Sequence, residues 1–216
     1  MRTKTEKELI RRNPGSPPYL EFAPLQVPQL RHRFALRGEP HEALPNPPHF
    51  PPPPMRHVQA EQVHGNLAVG VTSRDHDRII PSADALVTAD KNLTLIIRTA
   101  DCGPVYFYDP VNQAIGLAHS GKKGTVMNIT AQVIRLMSEQ FSSKPEDLVV
   151  VLGPCIRPPD YEIDFAEEIA AQAKAEGVRH YHDCGLNTAT NLTEFYSYRM
   201  EQGRTGRHYA FLMLND

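Results

Sequence analysis

From Met55 onward the chain alternates short apolar runs with turn-forming residues. Leu67–Thr72, Ala85–Thr88, Leu93–Thr99, Val105–Tyr108 and Ala114–Ala118 are apolar or β-branched and are separated by Gly, Pro, Asp and Asn. That texture predicts closely spaced strands. The period then changes. Val126, Ile129, Val133, Ile134, Met137 and Phe141 recur at helical spacing, which predicts a helix over Thr125–Phe141 with one buried face. Lys144–Asp147 reads as a turn and Leu148–Leu152 as a fully apolar strand. Asp164, with Glu167 three positions on, has the pattern of a capping box opening a second helix that runs to Gly177. Tyr209–Leu214 reads as a last strand. The order strands, helix, strand, helix, strand, with no internal repeat, points to one α/β (α+β) domain with mixed β-sheets flanked by helices.

Before Met55 the pattern is different. Thirteen of the twenty prolines fall there. Leu44–Pro54 can form neither helix nor central strand, because proline fixes φ and removes a donor. Pro51–Pro54 is expected as a short polyproline II rod. The chain therefore divides into a loose tail (1–18), a proline-rich extended arm (19–54) and a folded domain (55–216).

Composition narrows the function. The 216 residues carry a formal charge of -2, which argues against a protein that coats nucleic acid. No run of about 18 apolar residues is present to span a membrane. The N-terminal MRTKTEKELIRR lacks the apolar core of a secretory signal. Three scattered cysteines make no disulfide framework, so a reducing, cytoplasmic location is expected.

Three segments place reactive side chains at strand ends. They are Gln62-Val63-His64-Gly65, Thr99-Ala100-Asp101-Cys102-Gly103-Pro104 and Ala118-His119-Ser120-Gly121. Taken singly, a buried Cys is a small hydrophobe and a strand-end His a hydrogen-bonded filler. Spacing alone identifies no metal motif. Taken together, two imidazoles and a thiolate form a good donor set for Zn²⁺, and three protein ligands leave a fourth position open. His119 continues into Gly121-Lys122-Lys123-Gly124-Thr125, a glycine-rich turn entering a helix. Such a turn suits phosphate or carboxylate, or is an ordinary β-to-α turn with solvated lysines. Arg199, within Glu194–Arg199, is expected on a strand at the mouth of a cleft.

Jointly, these strings resemble one family, known as the multicopper polyphenol oxidoreductases or laccase-domain proteins, the peptidoglycan editing factors and the zinc-dependent purine nucleoside phosphorylases. The strings are QVHG (62–65), ADALVT (83–88), TADCGPV (99–105), YDP (108–110), GLAHSGKKGT (116–125), PEDLVVVLGP (145–154), YEID (161–164) and FYSYR with GRTGR (195–207). The resemblance implies a single α/β domain similar to the catalytic domain of cytotoxic necrotizing factor, here the catalytic segment 55–216. It implies metal ligands at His64, Cys102 and His119, and maps an N-terminal family arginine onto Arg37. It also implies phosphorolysis of adenosine, inosine, guanosine or methylthioadenosine, with adenosine deamination and phenol oxidation as further family activities. Where the family has HAGWRGT, this chain has HSGKKGT, so a Trp and an Arg are replaced by Lys122 and Lys123.

The resulting expectation is a zinc enzyme acting on purine nucleosides and phosphate. Lys122, Lys123, Thr125, Arg37 and Arg199 are the candidate phosphate- or substrate-binding residues. Cys102, Asp101, His64 and His119 are the candidate catalytic residues, with Asp101 supplying or relaying a proton or orienting a ligand. Glu162 is a candidate acid/base if the reaction is deamination. Three alternatives stand beside it: a metal-free cysteine hydrolase using Cys102 and a His, a copper-dependent phenol oxidase, and an inactive divergent binding protein. No nucleic-acid or membrane partner is expected, and the chain is expected to be a monomer or weak homodimer.

Overall fold

The structure is a computed structural model that describes residues 9–14, 18–38 and 56–216. Thirteen strands among the described residues form two sheets. The strands are β1 (Ile10–Asn13), β2 (Tyr19–Phe22), β3 (Leu30–Ala35), β4 (Arg56–Ala60), β5 (Ala68–Gly70), β6 (Arg78–Ile80) and β7 (Ala85–Thr88). They continue with β8 (Leu93–Thr99), β9 (Gly103–Asp109), β10 (Ala114–Ser120), β11 (Val149–Leu152), β12 (His180–Asp183) and β13 (His208–Leu214). One sheet has the order β1-β2-β3-β13-β8-β4-β6 and the other β12-β11-β9-β10-β7-β5. Both are mixed: β4 runs parallel to β6 and β8, while β8 runs antiparallel to β13, and in the second sheet β11 runs parallel to β12 but antiparallel to β9. The expected mixed-sheet, single-domain α+β class is what the chain adopts.

Two apolar layers explain why so many strands read as unbroken hydrophobic runs. In β9, Tyr106 and Tyr108 face the seven-stranded sheet, while Val105 and Phe107 face the helices. In β10, Ile115 and Leu117 point one way and Ala114 and Ala118 the other. Side chains alternate with period 2, so a strand buried on both faces has no polar position to show. Gly116 lies where a Cβ would come 3.0 Å from Val133, so its small size lets the helix layer approach.

The helix layer differs from the sequence pattern in one respect. The expected helix Thr125–Phe141 is two: α1 (Lys122–Val126) and α2 (Ile129–Phe141). Asn128 separates them in the left-handed conformation, φ 57°, and its side-chain oxygen accepts from Ala131 N to cap α2. Asparagine tolerates that conformation better than most residues, and the cap offsets its cost. Val126, expected on the buried face, is exposed. The second expected helix, α3 (Phe165–Ala175), begins at Asp164 as its capping pattern implies, and Asp164 accepts from Glu167 N at 3.1 Å. Gly177 follows it at φ 95°, a geometry that favours glycine.

The N-terminal quarter also differs. Ile10–Asn13, expected in a loose tail, pairs antiparallel with β2. Tyr19–Phe22 and Leu30–Ala35, expected in an arm along the domain, are strands of the seven-stranded sheet. Leu20, Phe22, Leu25, Leu30 and Phe34 are buried in the core between the sheets. Burial of these five apolar side chains outweighs the proline content that suggested an arm. The proline-rich run Leu44–Pro54 and its Pro51–Pro54 rod lie outside the described residues. No helix among the described residues is long and apolar enough to cross a membrane.

Candidate active site

Strand ends from both sheets meet at one edge of the sandwich. His64 lies in the loop from β4 to β5, Cys102 in the loop that carries the chain from β8 to β9, and His119 near the end of β10. Residues 38 and 17 positions apart thereby converge. One ligand atom from each of His64, Cys102 and His119 lies within 4.8 Å of the others. The two imidazole rings are 4.8 Å apart and nearly perpendicular.

The backbone is bent to achieve this. Gln62, His64 and Asp101 all adopt left-handed conformations, with φ of 67°, 61° and 82°. Each costs about 1–3 kcal/mol in a residue with a Cβ and persists only where the surroundings enforce it. Gln62 is clamped to Arg98, donating to its carbonyl and accepting from its N–H. Gly121 leaves the space that the sulfur needs, since a Cβ there would come 2.8 Å from Cys102 Sγ.

Asp84 organises the cluster, and the sequence reading missed it. Its side chain is fully buried. The carboxylate accepts from His64 N at 3.0 Å, Gly65 N at 2.6 Å and His119 Nδ1 at 2.8 Å. It therefore fixes the His64 loop and directs Nε2 of His119 toward the cluster. Burial pushes the Asp84 carboxyl up, but these hydrogen bonds outweigh it and hold it below the usual carboxylate range. The available signal was an acidic residue opening the apolar run Ala85–Thr88.

Electrostatics favour the ionised form of the sulfur. Burial pushes the Cys102 thiol up, but the positive charge of His119 and hydrogen bonds from both histidines bring it down to about 6. For His119, burial pushes the imidazole down, and Cys102 and Asp84 outweigh it to raise it to about 9. Both directions describe a thiolate–imidazolium pair. The other two cysteines differ: burial pushes Cys155 up to about 12 and Cys184 higher still. The donor set fits a metal ion of the zinc class. Donors on a tetrahedron with bonds of 2.0–2.3 Å lie about 3.3–3.8 Å apart, a contraction of roughly 1 Å from the present spread.

The cluster lies on the wall of a cleft of about 970 Å³ that also takes in Arg98, Lys122, Lys123, Tyr161, Tyr198 and Arg199. Of the sequence candidates, Asp101, Lys122, Lys123 and Arg199 line this cleft with the cluster. Arg37 and Thr125 do not. Arg37 pairs with Glu201 at 2.7 Å, donates to Phe195 O and stacks on Tyr196. Its guanidinium is spent on the segment after β12. Thr125 is buried, and its hydroxyl donates to Gly121 O at 2.8 Å, closing the first turn of α1. Both oxygens of Asp101 are engaged, one by Thr188 Oγ1 at 2.7 Å and the other by Arg199 N at 2.7 Å. Asp101 thus ties the Arg199 turn to the cluster loop. Residues 194–199, expected as a strand, are turn and irregular backbone, yet Arg199 still reaches the mouth of the cleft.

The family model for multi-copper polyphenol oxidoreductase laccase matches residues 49–176 and 161–215. Purine nucleoside phosphorylase YlmD of Bacillus subtilis is 30% identical over 197 residues, covering 74% of this chain and 71% of that protein. Purine nucleoside phosphorylase SCO2081 of Streptomyces coelicolor is 36% identical over 135 residues, 62% of this chain and 54% of that one, so the match spans about half of its length. The crystal structure of YlmD from Geobacillus stearothermophilus shares the fold, with a TM-score of 0.83 at 22% identity, over 97% of this chain and 100% of that one. With its two mixed sheets and a His–Cys–His cluster that could hold a metal, the chain belongs to the multi-copper polyphenol oxidoreductase laccase family.

Proposed function

We propose that this chain is a zinc-dependent purine nucleoside phosphorylase whose metal is held by His64, Cys102 and His119. The observation that carries the reading is the convergence of two imidazoles and an acidified thiol on the wall of a cationic cleft. The cleft lies within the size range of small-molecule sites. The names of the relatives in Bacillus subtilis and Streptomyces coelicolor support the substrate class.

When bound, a divalent ion supplies positive charge that orients and polarises an oxyanion. The chain's own residues do the rest. Asp84 holds His119 in one tautomer and keeps the His64 loop in place. Lys122, Lys123 and Arg199 draw phosphate toward the cluster. Tyr198, exposed at the cleft, offers an aromatic face to the purine. A hydrogen phosphate oxygen then forms a bond to the ribose anomeric carbon as the bond to the purine nitrogen breaks, and the proton that hydrogen phosphate gives up passes through water to the departing base nitrogen. Asp101, with both oxygens occupied, serves to position Arg199 rather than to move that proton.

One observation favours a second reading. Cys102, His119 and Asp84 form a row of thiol, imidazole and carboxylate, the arrangement of a cysteine hydrolase. Incubation of the purified chain with adenosine, with and without phosphate, separates the possibilities. Adenine plus ribose 1-phosphate, formed only with phosphate and lost on chelation, is the expected result. Inosine alone indicates deamination, and hydrolysis that survives chelation but not thiol alkylation indicates the cysteine mechanism. No turnover of any nucleoside refutes the proposal.

A further inference from the structure

The cations facing the cleft differ in their surroundings. Lys122 opens α1, and Arg199 stands across from it in the turns before β13. Between them lies Glu162, from the segment joining β11 to α3. Its Oε1 accepts from Lys122 Nζ at 3.0 Å and its Oε2 accepts from Arg199 Nη2 at 2.6 Å. All three side chains are about half exposed. The Arg199 guanidinium also stacks on Tyr161, 4.7 Å from the ring centroid, so its position does not depend on Glu162 alone. A carboxylate with one oxygen on a lysine and the other on an arginine occupies the place that two oxygens of a phosphate would take. Half-exposed ion pairs are weak, so this one exchanges readily.

We propose that Glu162 is a displaceable carboxylate that fills the oxyanion subsite between Lys122 and Arg199 and sets how tightly this chain takes inorganic phosphate. The inference rests on the phosphorolysis reading and adds a determinant of phosphate use to it. With Glu162 in place, Lys122 and Arg199 are neutralised and only the other cations of the cleft, Arg98, Lys123 and Arg207, are left to attract a phosphate. With Glu162 turned out to solvent, the same two cations accept a dianion. Glu162 acts through Lys122 and Arg199 and is a positioning residue.

The test is calorimetric titration of inorganic phosphate into the purified full chain, with ionic strength held constant by chloride. Wild type is compared with Glu162→Gln, Glu162→Ala and Lys122→Gln. Both Glu162 variants are expected to bind phosphate about 5- to 30-fold more tightly, equivalent to about 1–2 kcal/mol. Lys122→Gln is expected to bind more weakly than wild type. In turnover, KM for phosphate falls in the Glu162 variants while KM for the nucleoside stays unchanged, a split that a merely structural residue would not give. Phosphate affinity in both Glu162 variants at or below the wild-type value overturns the proposal, as does absence of phosphate binding in every form. Tighter binding without nucleoside cleavage sinks the phosphorolysis reading and leaves the oxyanion subsite standing. Cleavage with unchanged phosphate affinity does the reverse.

Discussion

Replacing Asp84 with Asn changes one atom and removes one charge, and the hydrogen bonds around it determine the consequences. Asp84 Oδ1 accepts from both His119 Nδ1 and His64 N, and Oδ2 accepts from Gly65 N. An amide keeps one oxygen and offers two donors in place of the other. If its oxygen replaces Oδ1, the NH₂ confronts Gly65 N–H in a buried site. If it replaces Oδ2, the NH₂ confronts His64 N–H and His119 Nδ1. The second arrangement drives His119 to the tautomer that carries its proton on Nε2, the atom needed for a metal. Either way a buried donor is left unsatisfied, which costs about 1–3 kcal/mol. For a chain of this size that lowers Tm by roughly 2–4 °C per kcal/mol. Loss of the carboxylate also weakens His119 as a ligand, and such partners are worth about 10- to 100-fold in metal affinity. The assay is competition for Zn²⁺ against a chromophoric chelator, with thermal unfolding of the metal-free protein measured in parallel. Metal affinity within about twofold of wild type, in a variant that folds, would refute the role given to Asp84.

Buried groups give two further testable outcomes. Burial pushes both His32 and His208 down to about 4, so each is neutral when folded, whereas the unfolded chain takes up a proton near 6.5. Their contribution to stability is therefore fully present above about pH 6.5 and is lost as pH falls toward 4, by about 3 kcal/mol each. Urea midpoints at pH 7 and pH 5 should show about 2 kcal/mol of this loss per histidine, and His32→Gln, whose amide oxygen can still accept from Phe22 N, should remove about half of the total; an unchanged pH dependence would contradict the assignment. In α1, a Cβ on Gly124 would come 2.7 Å from the main-chain oxygen of Gly65. Gly124→Ala gains up to about 1 kcal/mol of helix propensity but must displace backbone beside His64, at about 1–3 kcal/mol, so it is expected to be net destabilising and to weaken metal binding. Denaturant stability at or above the wild-type value would show that the loop yields freely.

The three cleft-lining donors were legible because two imidazoles and a thiol, side chains able to bind a metal, each fall at a strand end within two residues of a glycine. His64, Cys102 and His119 could be named from that context, and the strands Ala85–Thr88 and Leu93–Thr99 have the bounds that their β-branched runs imply. Asp84 was not legible. A carboxylate that opens a strand looks like a turn residue until the fold buries it under His119. Arg37 and Thr125 lie apart from the cleft lining for a related reason: a cation or hydroxyl near a motif can be spent on internal hydrogen bonds, and only the packed structure shows that Glu201 and Gly121 claim them.

Local sequence thus determined what each segment prefers: short apolar runs for strands, a helical stripe from Val126 to Phe141 that the fold then divides at Asn128, a capped start at Asp164 and a set of side chains able to bind a metal. These preferences depend on neighbours a few residues away. Tertiary structure decided the rest, because it depends on contacts between residues far apart in the chain. It drew Leu20, Phe22 and Phe34 into the core, where burial outweighed the proline-rich texture around them. It also set the ends of two sheets against each other, so that one buried carboxylate could hold a histidine from one loop and a histidine from a strand.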